Sequence, residues 1–121
     1  MKKISIIGAG TMGNGIAHCF AQYKFEVSLM DVSEERLNNA KTTIDTNLSR
    51  MVKKNIINEL EKKEILSRIS LHTTLEKSVE NCDLVIEAAT ESKKIKLNIF
   101  KKLDQLCNTN TILASNPSSI S

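Results

Sequence analysis

The stretch Ile4-Ser5-Ile6-Ile7-Gly8-Ala9-Gly10-Thr11-Met12-Gly13 decides the reading of this chain. Ile4 to Ile7 is a short β-branched run, which suits a strand because branched side chains pack well on a pleated surface. Glycines stop the run, and Met12, Ile16, Ala17 and Phe20 then recur at helical spacing. The order is strand, tight turn, helix. Each glycine has a mechanical task in that order. Gly8 permits the turn, Gly10 removes a Cβ where phosphate oxygens approach the backbone, and Gly13 lets the helix lie close on the strand. The first N–H groups of the helix have no partner within it and bind the anion. A GxGxxG by itself is a weak pattern, and its place between a strand and a helix makes it a strong one.

Working outward, residues 25–30 form a second strand that ends at Asp31. Ser33 then caps a helix beginning at Glu34 and Glu35, whose carboxylates suit the positive end of the helix dipole. Strand, helix, strand predicts a parallel sheet. Asp31 lies about 20 residues beyond the loop, where a carboxylate accepts hydrogen bonds from ribose hydroxyls. A 2′-phosphate would be repelled there, and Val32 supplies no guanidinium fork to receive one. The expected cofactor is therefore NAD rather than NADP. The plainer alternative is an ordinary glycine turn, with Asp31 capping the next helix.

Leu37, Ala40, Ile44, Leu48, Met51 and Val52 recur every three or four residues and predict a helix to about Lys54. A shorter helix over residues 60–66 and a weak strand over 69–71 follow, so the connection is a helical hairpin and not one crossover helix. Residues 83–89 read as a continuous apolar strand buried on both faces. Ser92 can cap a helix carrying Ile95, Ile99, Leu103 and Leu106 on one stripe, and residues 111–114 form a fifth strand. The predicted fold is α/β: a Rossmann-type doubly wound parallel sheet with a helical-hairpin insertion after the second strand, one domain over residues 1–121, incomplete at its C-terminal end.

With 40% hydrophobic and 26% charged residues in 121, the chain can bury a core as one soluble domain. A net charge of +3, spread among acidic residues, with only three Phe and one Tyr to stack on bases, argues against nucleic acid. No apolar run approaches the roughly 18 residues of a membrane span, so the expected location is cytoplasmic, without membrane contact. Cys19, Cys82 and Cys107 contain no CxxC pair and read as reduced structural thiols. His18 and His72 have no metal-ligand partners at short spacing, so both read as structural, with no metal expected.

The run IGAGTMGNGIA over residues 7–17, the strand ending Leu29-Met30-Asp31, the segment DLVIEAATE over residues 83–91 with Lys96 after it, and the closing ILASNPSSIS together resemble the 3-hydroxyacyl-CoA dehydrogenase family. The likeness is collinear over the whole chain and leans toward the family's bacterial 3-hydroxybutyryl-CoA members. It implies that Gly8, Ala9, Gly10, Thr11, Met12 and Gly13 contact NAD. Asp31, Glu91 and Lys96 would bind the ribose and nicotinamide portions, and Ser118 would lie near the nicotinamide and the substrate oxygen. Asn47 and Lys54, in the helical hairpin, would touch coenzyme A, where a lysine can pair with phosphates. Solvated helix faces would also account for Lys54 and Lys96, each of which stands among other lysines. The family's reaction moves a hydride between C3 of a 3-hydroxyacyl-CoA and the nicotinamide to give a 3-ketoacyl-CoA, in fatty-acid and butyrate metabolism.

Two departures from the family pattern stand out. Pro117 takes the place of a threonine between Asn116 and Ser118, which removes an N–H donor and biases Asn116 toward an extended backbone. Lys24 stands where relatives end the first helix with glycine, so a left-handed cap there would cost about 1 kcal/mol. The resemblance also implies a histidine base, further strands and a helical domain for dimerisation and substrate binding, none of which this stretch contains. The chain alone is expected to be inactive, and the full-length form to be a homodimer. The alternatives are a non-catalytic NAD-binding module, half of a split enzyme, or a β-hydroxyacid or gulonate-type dehydrogenase sharing the loop.

Overall fold

The computed structural model describes residues 2–88, 93–107 and 111–115, with residues 93–96 and 115 described by their backbone alone. In chain order the elements are β1 (Lys3–Ile7), α1 (Thr11–Gln22), β2 (Glu26–Met30), α2 (Glu34–Lys53), α3 (Glu59–Ser67), β3 (Ile69–His72), α4 (Leu75–Ser78), β4 (Leu84–Glu87), α5 (Lys93–Leu106) and β5 (Ile112–Ser115). The strands make one sheet in the order β3-β2-β1-β4-β5, every pair parallel. The expected doubly wound sheet with a helical hairpin between β2 and β3 is what forms.

Successive strand residues point to opposite faces, so the central strands β1, β2 and β4 feed two cores. Ile4 and Ile6 of β1 join Val27 and Leu29 of β2 in one core. Against them pack Ala17 and Ala21 of α1, the α2 stripe Leu37, Ala40, Ile44 and Leu48, and Ile65 of α3. Ile7 and Met30 belong to the second core, with Leu75, Val79, Cys82, Val85 and Leu103. Burial on both faces explains why isoleucines fall on either side of β1, at Ile6 and Ile7, with the small Ser5 buried between Ile4 and Ile6. Burial also pushes the Cys82 thiol up to about 11, so it packs as a neutral side chain.

The helix ends are defined by local chemistry. Ser33 Oγ accepts from the Arg36 N–H at 3.2 Å, the expected start of α2. At the end of α1, Lys24 adopts φ 74°. The Phe25 N–H reaches the Phe20 carbonyl at 3.1 Å and the Lys24 N–H reaches the Ala21 carbonyl at 3.2 Å, the double bond of a Schellman cap. The Phe20 and Phe25 rings meet edge to face at 5.5 Å and close the motif with its apolar contact. Phe25 is spent on this cap, so β2 begins at Glu26 and not at 25. The hairpin is pinned by Lys62 of α3, whose Nζ lies 2.9 Å from Asp45 Oδ1 and donates to Ser49 Oγ at 2.8 Å, both on α2.

Other boundaries differ from the sequence reading. β4 runs over Leu84–Glu87, and just before it the Asp83 side chain accepts the Lys2 and Lys3 N–H groups at 2.8 and 3.0 Å. β5 starts at Ile112, one residue late, since the Thr111 hydroxyl donates to the Cys82 carbonyl at 2.9 Å. Leu106, expected on the buried stripe of α5, is 39% exposed at the helix end. α4 was not foreseen; Thr74 Oγ1 accepts from the Lys77 N–H and starts it. The expected cap at Ser92, and Ala89 at the end of the fourth strand, lie outside the described residues. Among the described residues no helix is long and apolar enough to cross a membrane, and no group of three His, Cys, Asp or Glu could hold a metal.

Candidate functional site

The connections leave β1 for β2 and β3 on one side, and β4 and β5 lie on the other, so the C-terminal end of β1 stands at the point where the strand order reverses. Open parallel sheets bind their ligands in the crevice at that point. The Gly8–Gly13 loop occupies it. Gly8 has φ 110°, a conformation that strains any L side chain, and its N–H donates to the Met30 carbonyl at 2.7 Å. A Cβ on Gly13 would come within 1.8 Å of the Gly8 carbonyl oxygen, so α1 can lie this close to the turn only with glycine there.

Gly10 is a different case. Its φ of −72° and ψ of −171° suit any residue, and a Cβ built on it meets nothing within 4 Å. Neither backbone nor packing asks for glycine, so the open space at Gly10 is left for something outside the chain. That space borders the start of α1, whose N-cap offers no side-chain hydrogen bond and whose first turn carries no acid. The first-turn N–H groups and the positive end of the helix dipole are uncompensated there, which fits a diphosphate.

Asp31 is 8% exposed. Its Oδ2 accepts the Ala9 N–H at 3.0 Å and its Oδ1 accepts the Ser33 N–H at 2.9 Å. The carboxylate therefore shapes the glycine loop as well as facing the crevice, and each oxygen keeps a further lone pair for a ligand hydroxyl. Gly8, Asp31, Val32, Arg36, Thr74 and Ile99 are among the residues lining a cleft of about 560 Å³ beside the loop. Across it, Lys102 of α5 pairs with Glu76 of α4 at 3.2 Å.

The adjoining Val32 carries no guanidinium, as the sequence shows, but a residue further along does. Arg36 lies one helical turn on, at the third position of α2, and its Nη1 stands 4.0 Å from Asp31 Oδ2. The signal was present in the Ser33 cap, which fixes where the first turn of α2 begins.

Asn47 and Lys54 lie on α2 and at its C-cap, seven residues apart, which is about 10 Å along one side of the helix. Asn47 is half-buried and Lys54 exposed. Lys96 lies in α5 with its side chain outside the described residues, and Glu91 and Ser118, with Pro117, also fall outside them. Neither histidine is among the residues lining the cleft, although the His72 carbonyl accepts the Asp31 N–H at 3.1 Å. His18 bonds Gln22 within α1 at 3.1 Å. His72, on edge strand β3, bonds Ser70 at 2.9 Å, and burial holds its pKa below the ordinary value.

A parallel sheet reversing at β1, a glycine turn opening onto an uncapped helix, and a buried carboxylate one strand away define a dinucleotide-binding domain of the Rossmann type. The family described as 3-hydroxyacyl-CoA dehydrogenase, NAD binding domain, matches residues 3–121, and the chain belongs to it, with NAD as its cofactor. The chain is 46% identical over its whole length to a 3-hydroxybutyryl-CoA dehydrogenase of Bradyrhizobium diazoefficiens, of which it covers 41%. It is 40% identical, over 98% of its length, to the 3-hydroxybutyryl-CoA dehydrogenase of Clostridioides difficile, of which it covers 42%. Among solved structures, (S)-3-hydroxybutyryl-CoA dehydrogenase from Ralstonia eutropha superposes with a TM-score of 0.93 at 39% identity, covering all of this chain and 42% of that one. The chain thus spans about two fifths of the length of the relatives it matches.

Proposed function

We propose that this chain is the NAD-binding part of an enzyme that interconverts 3-hydroxyacyl-CoA and 3-ketoacyl-CoA, with the four-carbon 3-hydroxybutyryl thioester as its substrate. The observation that carries the proposal is the match of the whole chain to 3-hydroxybutyryl-CoA dehydrogenases, on a loop whose Gly10 leaves open space beside an uncapped helix. Bound NAD supplies the acceptor or donor of a hydride. The chain's own residues hold it. Backbone N–H groups at Thr11, Met12 and Gly13 hold the diphosphate, and the carboxylate of Asp31 holds the adenosine ribose.

Glu91, Lys96 and Ser118 are the proposed contacts on the nicotinamide side, with Ser118 also meeting the substrate oxygen. Asn47 and Lys54 take the coenzyme A along the outer side of α2. Neither histidine of the chain lines the cleft, so in this reading the group that takes the hydroxyl proton comes from elsewhere in the protein. The assembled enzyme is a cytoplasmic homodimer in this reading.

The test uses the full-length gene product. It should bind NADH and oxidise it on addition of acetoacetyl-CoA. Tight NADH binding without turnover on any 3-ketoacyl-CoA would return the chain to the class of NAD-binding modules.

A further inference from the structure

We propose that Arg36 is a second determinant of cofactor choice, standing where the 2′-phosphate of NADP would arrive, so that rejection of NADP rests on Asp31 alone. The inference deepens the NAD reading and rests on it.

Two cations line the cleft among its described residues, and they differ in commitment. Lys102 is engaged by Glu76 at 3.2 Å, whereas the described contact of the Arg36 guanidinium is the loose one to Asp31 at 4.0 Å, beyond hydrogen-bond length. The Arg36 side chain is 65% exposed and free to turn about its stem, while its backbone is fixed by the Ser33 cap. Asp31, by contrast, is immobilised by two backbone N–H donors. Those donors and the guanidinium draw off part of the carboxylate's field, so its repulsion of a neighbouring phosphate is weaker than that of a lone carboxylate. A planar guanidinium is also the group that best receives a phosphate through paired N–H donors. The same corner of the cleft therefore holds one group that rejects a 2′-phosphate and one suited to bind it.

The experiment is calorimetric titration of the full-length gene product with NADH and with NADPH at low salt. Arg36→Ala should lower the affinity for NADPH relative to NADH by roughly tenfold, the size of one charge-assisted hydrogen bond, and Arg36→Lys should restore part of it. Raising the salt should erase the difference between the unsubstituted protein and Arg36→Ala. Asp31→Asn should raise NADPH affinity, and adding Arg36→Ala should remove that rise. An unchanged ratio of the two affinities in Arg36→Ala, whether both fall or neither does, would overturn the proposal. That measurement stands even if Asp31→Asn disturbs the loop, because Arg36 is exposed. Binding of neither nucleotide by the unsubstituted protein would overturn the NAD reading itself, and this inference with it.

Discussion

The three loop glycines separate by what each excludes. Gly13→Ala would drive a methyl into the Gly8 carbonyl, a backbone atom with no room to yield, and should cost more than about 2 kcal/mol of stability in a denaturant titration. Gly10→Ala meets open space and should leave stability within about 0.5 kcal/mol. It should nevertheless weaken NADH binding, because the methyl takes the space where the diphosphate lies; equal binding would show that the space at Gly10 is not used. Lys24 is the reverse case, a side chain where glycine would be more comfortable. At φ 74°, Lys24→Gly should raise stability by about 1 kcal/mol, read as a higher denaturant midpoint at unchanged slope. Asp31 is a poor subject for truncation to alanine. Removing its carboxylate leaves the buried Ala9 N–H without an acceptor, at about 1 to 3 kcal/mol, so loop damage and lost cofactor contact would be confounded.

At the level of elements, the hairpin of α2 and α3 carries its own pH dependence. The hydrogen bond from Lys62 holds the Asp45 carboxyl below its ordinary value of 3.8, and Asp45 raises Lys62 above its ordinary 10.5. A depressed carboxylate stabilises above its unfolded value and loses this as pH falls through the folded one; a raised lysine stabilises below its unfolded value and loses this as pH rises through its own. Amide exchange in α3 should therefore accelerate below about pH 4 more in this protein than in Asp45→Asn, which has no carboxylate left to protonate; equal acceleration in both would remove Asp45 from the account. The proposed contact of the hairpin with coenzyme A can be tested at Lys54. Lys54→Ala in the full-length enzyme should raise KM for the CoA thioester with kcat nearly unchanged, and an unchanged KM at low salt would return Lys54 to an ordinary solvated lysine. The long elements could be read from sequence because their signals repeat or cluster: the α2 stripe returns over several turns, and three isoleucines stand together in β1 just before the glycine loop. α4 could not, since four residues hold no period and its start depends on one hydroxyl. The Arg36 contact was hidden for a related reason, because adjacency across a helical turn exists only after the Ser33 cap has set the phase of α2. Asp31 stood out in the sequence as a candidate contact for the ribose, but its bond to Ala9 involves a backbone donor 22 residues away that no spacing rule addresses.

For the whole molecule, β3 and β5 are the edges of the described sheet, and they differ. Ile112 on β5 is 54% exposed and Leu97 on neighbouring α5 is 70% exposed, an apolar flank that a lone chain would bury against another copy. The isolated 121-residue polypeptide should thus elute larger than a monomer in size exclusion, and should not oxidise NADH with acetoacetyl-CoA, having neither histidine in the lining of the cleft. A monodisperse monomer, or turnover above background, would contradict the respective half of this expectation. The central position of β1 also matters while the protein is being made. Ile4 pairs with Leu84, 80 residues later, and the Lys2 and Lys3 N–H groups wait for the carboxylate of Asp83. At about 5 to 20 residues per second, a ribosome needs roughly 4 to 16 seconds to deliver that partner after the first strand has been synthesised. During that interval β1 can pair with β2 on one side while its other side stays open, so the pace of elongation across the hairpin codons sets how long that half-sheet waits for β4.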